Sequence, residues 1–353
     1  MIERDRFCIM SLSFARSIHS RSLFRAAFVS CVAAVLTACA STGPAKINDA
    51  ELSSEATFQR QLALEEQVNT HRRIENISFR LMVAAADFCA ERTGYGFGIG
   101  VADRNSFGAE MAAAAEQAYG LSDAPHILSV AAGSPAAEAG LAEGDIIAGI
   151  DGRPMPSGRD SAEAVTRFLE EATGRPVTFD IAGPDPRSVT LAPARICSYP
   201  VHVLDNEKVN AYADGDSVKI TKGMLWFVEA DTELAMVLAH ELAHNLMGHA
   251  GTFRSMFEDK KSREADADYV GLYIMARAGF EIEKAPNFWR RIAAAFPQMI
   301  ESSSSHPIMP YRFVALRKTT EEIRRMQAEG LPLVPSRVND LAYREPVSGK
   351  PET

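Results

Sequence analysis

The stretch Asp231 to His249, DTELAMVLAHELAHNLMGH, decides how this chain is read. At its centre stands His240-Glu241-Leu242-Ala243-His244, an HExxH sequence inside an apolar run. On a helix, residues i and i+4 are neighbours, so both imidazoles lie on one face. They can share one zinc ion, while the intervening glutamate faces water bound to the metal.

Two histidines do not complete a hydrolytic zinc site, which needs three protein ligands and one open position. Downstream candidates for the third ligand are His249, Glu258, Glu264, Asp266, Asp268 and His306. Glu264 is the best placed. It opens Glu264-Ala265-Asp266-Ala267-Asp268-Tyr269-Val270-Gly271, which continues into the apolar run from Leu272 to Ala278. Glu264 and Asp268 lie four apart and project from one helical face. One can bind zinc while the other accepts a hydrogen bond from a liganding imidazole and fixes its tautomer. His249, five residues after His244, falls on a different helical face and reads as a polar residue ending the helix.

HExxH followed twenty residues later by E-x-x-A-D-x-x-G resembles the HtpX/Oma-type zinc metallopeptidases, the family that includes the CAAX prenyl endopeptidases. The likeness extends to Asn210-Ala211-Tyr212-Ala213 before the motif and to Ser305-His306-Pro307 with Arg312 after it. The resemblance implies that His240, His244 and Glu264 bind one Zn2+ per chain, with Glu241 as general base. It makes Asp268 the residue behind the ligands and Asn210–Ala213 an edge that pairs with peptide. It also places His306 and Arg312 near the metal, where either can stabilise an oxyanion. His306 can alternatively cap the zinc as a reversible fourth ligand. Unlike the CAAX prenyl endopeptidases, the chain shows no multi-span membrane segment and is similar to the family's soluble periplasmic branch.

The N-terminus points to the same compartment. Arg4, Arg6, Arg16, Arg21 and Arg25 precede the apolar segment Ala26 to Leu36, which is too short for a permanent membrane span. Basic, then apolar, then small residues is the order of a secretory signal. Its end, Leu36-Thr37-Ala38-Cys39, resembles the lipobox of bacterial lipoproteins, which implies lipidation at Cys39 and a membrane anchor. Ala40 after the cysteine favours the outer membrane. Of five cysteines, Cys8 and Cys31 leave with the signal and Cys39 carries lipid. Cys89 and Cys197 remain, and in an oxidising compartment a disulfide between them is expected.

Between these regions, a helical pattern covers residues 49–93, with Leu64, Val68, Ile74, Ile77, Leu81, Ala84 and Phe88 near helical spacing. Further on, Ser134 suits a helix cap, Pro135 a first helical position, and Gly140 a left-handed terminus. Gly133-Ser134-Pro135-Ala136, Gly140-Leu141 and Gly144-Asp145-Ile146-Ile147 together resemble a bacterial PDZ domain. PDZ domains bind a peptide as an added strand beside a helix, here residues 160–172. The glycine-rich run Gly94 to Gly100 is the candidate carboxylate loop.

The reading is therefore an α+β chain with a β-rich PDZ-like domain ahead of a mainly helical, gluzincin-like zinc metallopeptidase domain. Its expected divisions are a lipoprotein signal peptide (1–38), a tether (39–48), a helical segment (49–93), the PDZ-like domain (94–195), the peptidase domain (196–335) and a tail (336–353). The net charge of -9, with no basic stripe beyond the first 25 residues, excludes a nucleic-acid partner. The expected activity is zinc-dependent hydrolysis of envelope proteins in periplasmic quality control, with substrates recognised by the PDZ module. A PDZ-based peptide-binding or chaperone protein with latent proteolysis is the alternative.

Overall fold

A computed structural model describes residues 47–89, 92–250, 259–301 and 307–336. The signal segment with Cys39, most of the tether, the candidate ligands Glu258 and His306, and all of the tail but Ser336 lie outside the described residues. The described residues from 56 to 336 form one compact unit and those from 47 to 55 another. Among the described residues, no helix is long and apolar enough to cross a membrane.

A long helix, Asp49–Ala85, comes first. It starts with a reciprocal cap: Glu51 N–H donates to Asn48 Oδ1 and Asn48 N–H to Glu51 Oε2, each at 2.9 Å. Its apolar stripe serves two cores in succession. Leu64 and Val68 pack with Ala102, Ala115, Leu121 and Leu128 of the PDZ-like region. Ile74, Ile77, Leu81 and Ala85 belong to the peptidase core. Adjacent arginines repeat this division in polar form. Arg72 donates to Leu128 O at 2.9 Å and pairs with Glu143 at 2.7 Å. Arg73 pairs at 2.8 Å with Asp231, the first residue of the HExxH helix.

The β-rich region contributes β1 (Thr93–Gly96), β2 (Ile99–Ala102), β3 (His126–Val130), β4 (Ile146–Ile150), β5 (Arg153–Pro154), β6 (Val177–Ala182), β7 (Arg187–Leu191) and β8 (Ala194–Cys197). The main sheet runs β2-β3-β4-β6-β7 with antiparallel neighbours; β5 pairs β4, and β1 pairs β8 separately. Its core gathers Phe97, Ile127, Ile147, Ile150, Val165 and Phe179. The expected local signals are present: Ser134 accepts from Ala137 N–H, Pro135 takes the first turn, and Gly140 has φ +77°. The groove helix spans Ser161–Glu171.

The glycine run forms β1 and β2, joined by Phe97 and a bend at Gly98 that leads into edge strand β2, and its small residues are required by packing. A Cβ on Gly100 would meet Ser129 Oγ at 2.4 Å and His71 Nε2 of the long helix at 3.2 Å. Small residues here let that helix lie against the strand. The segment before β3, unassigned from sequence, contains the helix Ala112–Tyr119, ended by left-handed Gly120.

In the peptidase region, β9 (Val201–Leu204), β10 (Ala211–Ala213) and β11 (Val218–Thr221) are ordered β10-β11-β9. Behind them pack the motif helix (Asp231–Leu246), the carboxylate helix (Lys260–Arg277), the helix Pro286–Ala295 and the arginine helix (Met309–Ala328). Cys89, just after the long helix, is disulfide-bonded to Cys197 at the end of β8, with Cα atoms 5.5 Å apart.

Candidate metal centre

Gly271 sets the distance on which the site depends. A Cβ there would meet the backbone of Ala239 and His240 at 3.1 Å, so a larger residue would force the closely approaching carboxylate and motif helices slightly apart. The approach brings Glu264 and Asp268 onto the two histidines. His240 Nε2 lies 3.2 Å from His244 Nε2 and 3.2 Å from Glu264 Oε2, and His244 Nε2 lies 3.5 Å from Glu264 Oε1. Two nitrogens bound to a tetrahedral zinc at ordinary bond lengths stand about 3.3 Å apart. Two imidazoles and one carboxylate at these separations therefore fit a zinc ion with its fourth position open. Among the described residues, these three form the one His/Cys/Asp/Glu group able to hold a metal.

Behind the ligands the polar groups are buried and paired. Asp268, 3% exposed, accepts from His240 Nδ1 at 3.0 Å. Arg312, 2% exposed, grips both Asp268 oxygens at 2.7 Å through Nε and Nη2, and its guanidinium stacks on Trp289 at 3.3 Å. Its Nε and Nη2 donors are both taken by Asp268, behind the ligands. Burial works against the charge of Asp268, but the Arg312 guanidinium outweighs it and keeps the carboxyl below its ordinary range. Burial likewise opposes a charged His240, yet hydrogen bonds to Asp268 and Glu264 push the ring up to about 10. Glu264 is lowered, its burial outweighed by hydrogen bonds from the two histidines.

Three residues escaped the sequence reading or were assigned too small a part. Asn245 accepts from Gly215 N–H and donates to Ser217 O, each at 2.8 Å, tying the β10–β11 turn to the motif helix. His249 places Nδ1 2.9 Å from His244 Nδ1. Burial, then the neighbouring His244, lowers its ring to about 3. Trp289 carries the Arg312 stack. An Asn directly after HExxH and a His beyond the glycine were visible as residue types, but their partners are distant in sequence or lie past the helix end.

Two cavities flank Glu241, itself 8% exposed. The larger, about 320 Å³, holds the cluster and is edged by Asn210–Ala213, Lys260 and Arg263. The smaller, about 140 Å³, is lined by Met224, Val237, Phe288, Trp289 and Ile292 and reaches His240 and Glu241.

The centre and the domains around it are similar to those of known metallopeptidases and PDZ domains. Residues 190–259 match the model of peptidase family M48 and residues 126–183 that of the PDZ domain. Among known proteins, the chain is similar to the mitochondrial metalloendopeptidase OMA1 of Schizosaccharomyces pombe, 24% identical over 44% of this chain and 55% of that one. It is also similar to OMA1 of Saccharomyces cerevisiae, 27% identical over 33% and 46%. The beta-barrel assembly-enhancing protease of Escherichia coli K12 is 21% identical over 35% of each chain. The chain thus spans about half, or less, of the length of these relatives.

Proposed function

We propose that this chain is a zinc-dependent endopeptidase in which His240, His244 and Glu264 hold the metal and Glu241 is the general base. The mutual spacing of the three ligand atoms beside Glu241 carries this reading. When bound, the zinc supplies a Lewis acid that polarises the peptide carbonyl and lowers the pKa of water towards ~7. Glu241 takes the proton of the attacking water and returns it to the departing amine. Asp268, gripped by Arg312, holds the Nδ1 proton of His240 so that its Nε2 lone pair faces the cluster. β10 stands at the end of its sheet, so an extended substrate can add along it within reach of Glu241. Asn245 keeps that strand in place.

The substrates are proteins of the bacterial envelope, and the PDZ domain positions them. Edge strand β2 beside the groove helix supports that role, with Asp103 tying the two by accepting from Ser161 Oγ at 3.3 Å. The enzyme works on the periplasmic side, anchored by lipid at Cys39 and sorted to the outer membrane. The N-terminal charge pattern, the lipobox-like sequence and the likeness to a beta-barrel assembly-enhancing protease support this. His306, outside the described residues, remains the candidate for a reversible cap or an oxyanion donor.

Casein turnover and zinc content of the purified full chain test the reading. One zinc per chain and hydrolysis abolished by a chelator are expected. Peptide binding without turnover at full zinc occupancy would favour a binding protein instead.

A further inference from the structure

We infer that His249 is the positioning residue of His244, doing for that ligand what Asp268 does for His240. The inference rests on the metal reading above. His244 presents Nε2 to the cluster, 3.2 Å from His240 Nε2 and 3.5 Å from Glu264 Oε1. A lone pair on Nε2 requires the ring proton on Nδ1, because neutral imidazole carries one N–H and one acceptor. That Nδ1–H points at Nδ1 of His249, 2.9 Å away. The bond forms only if His249 offers a lone pair there, so His249 is the neutral tautomer with its proton on Nε2.

The chain builds this contact deliberately. A residue five positions on would lie well round a continuing helix, away from His244. The motif helix instead ends at Met247, and Gly248 turns the backbone at φ +66°. His249 N–H then donates to His244 O at 2.9 Å, and Arg263 Nη1 donates to His249 O at 2.9 Å. The imidazole comes back beneath its ligand, 8% exposed. The two ligands are thus braced differently: His240 by an anion with its own arginine, His244 by a neutral ring.

Three full-length proteins test this: wild type, His249→Leu and His249→Asn. Leucine keeps the bulk without an acceptor, whereas the asparagine Oδ1 falls near the lost Nδ1. Competition against a chelator should show His249→Leu binding zinc about 10–100-fold more weakly, with His249→Asn recovering most of the loss. Nitrogen NMR of 15N-histidine-labelled, zinc-loaded wild type should find His244 protonated at Nδ1 and His249 at Nε2. The NMR measurement needs no variant and stands even if His249→Leu does not fold. Wild-type zinc affinity in His249→Leu, an equal loss in both variants, or a proton on His249 Nδ1 would overturn the assignment. A wild type that takes up no zinc would instead remove the metal reading beneath it.

Discussion

The PDZ and peptidase regions lean on the same long helix yet use buried polar groups in opposite ways. In the PDZ region, the buried Asp103, His126, Ser134 and Ser161 make short local ties: a helix cap, a turn, a tether between strand and helix. In the peptidase region, His240, Glu241, Asn245, His249, Asp268 and Arg312 crowd around one point. Burying ions costs free energy unless they are paired, so such a concentration marks chemistry more than stability. One region is an apolar scaffold with local polar ties; the other gathers buried polar groups around the candidate metal centre.

The sharpest way to break this contrast is to remove Arg312. Arg312→Ala leaves Asp268 buried without its cation and should cost about 3–5 kcal/mol in chemical denaturation. A cost below about 1 kcal/mol would mean that the network is less buried in solution than its geometry implies. Next come the two stripes of the long helix. Leu81→Ala, on the peptidase side, and Leu64→Ala, on the PDZ side, should each cost about 2–5 kcal/mol. Only Leu81→Ala should also weaken zinc binding. Equal effects on zinc would show that the helix transmits strain between the regions.

Gly271→Ala is a finer probe. Its new Cβ presses on the motif helix backbone, so a loss of about 1–3 kcal/mol in a thermal melt, with weaker zinc binding, is expected. Unchanged zinc affinity would detach helix spacing from ligand geometry. The smallest effect belongs to Arg73→Ala: its partner Asp231 is 64% exposed, and the pair should contribute about 1 kcal/mol.

The same contrast explains what could be read from sequence. HExxH, Glu264 and Asp268 were legible because helical spacing alone puts them on shared faces. Ser134, Pro135 and Gly140 were legible because a cap is local. The crowding at Gly96 and Gly100 was not legible because Phe79 and His71, which press on them, belong to a helix far earlier in the chain. The pairing of Arg312 with Asp268 was not legible, since only the packing of the arginine helix brings the two together. His249 was judged on an unbroken helix, and Gly248 breaks it. The partners of Asn245 and Trp289 are set by tertiary contacts that no local pattern encodes.

The central claim is that Glu241 acts as general base beside a zinc held by His240, His244 and Glu264. Glu241→Gln tests it most directly, through zinc content and casein hydrolysis measured on one preparation. The account predicts full zinc occupancy with turnover lower by about 10²–10⁴-fold. Undiminished cleavage by the zinc-loaded variant would contradict it.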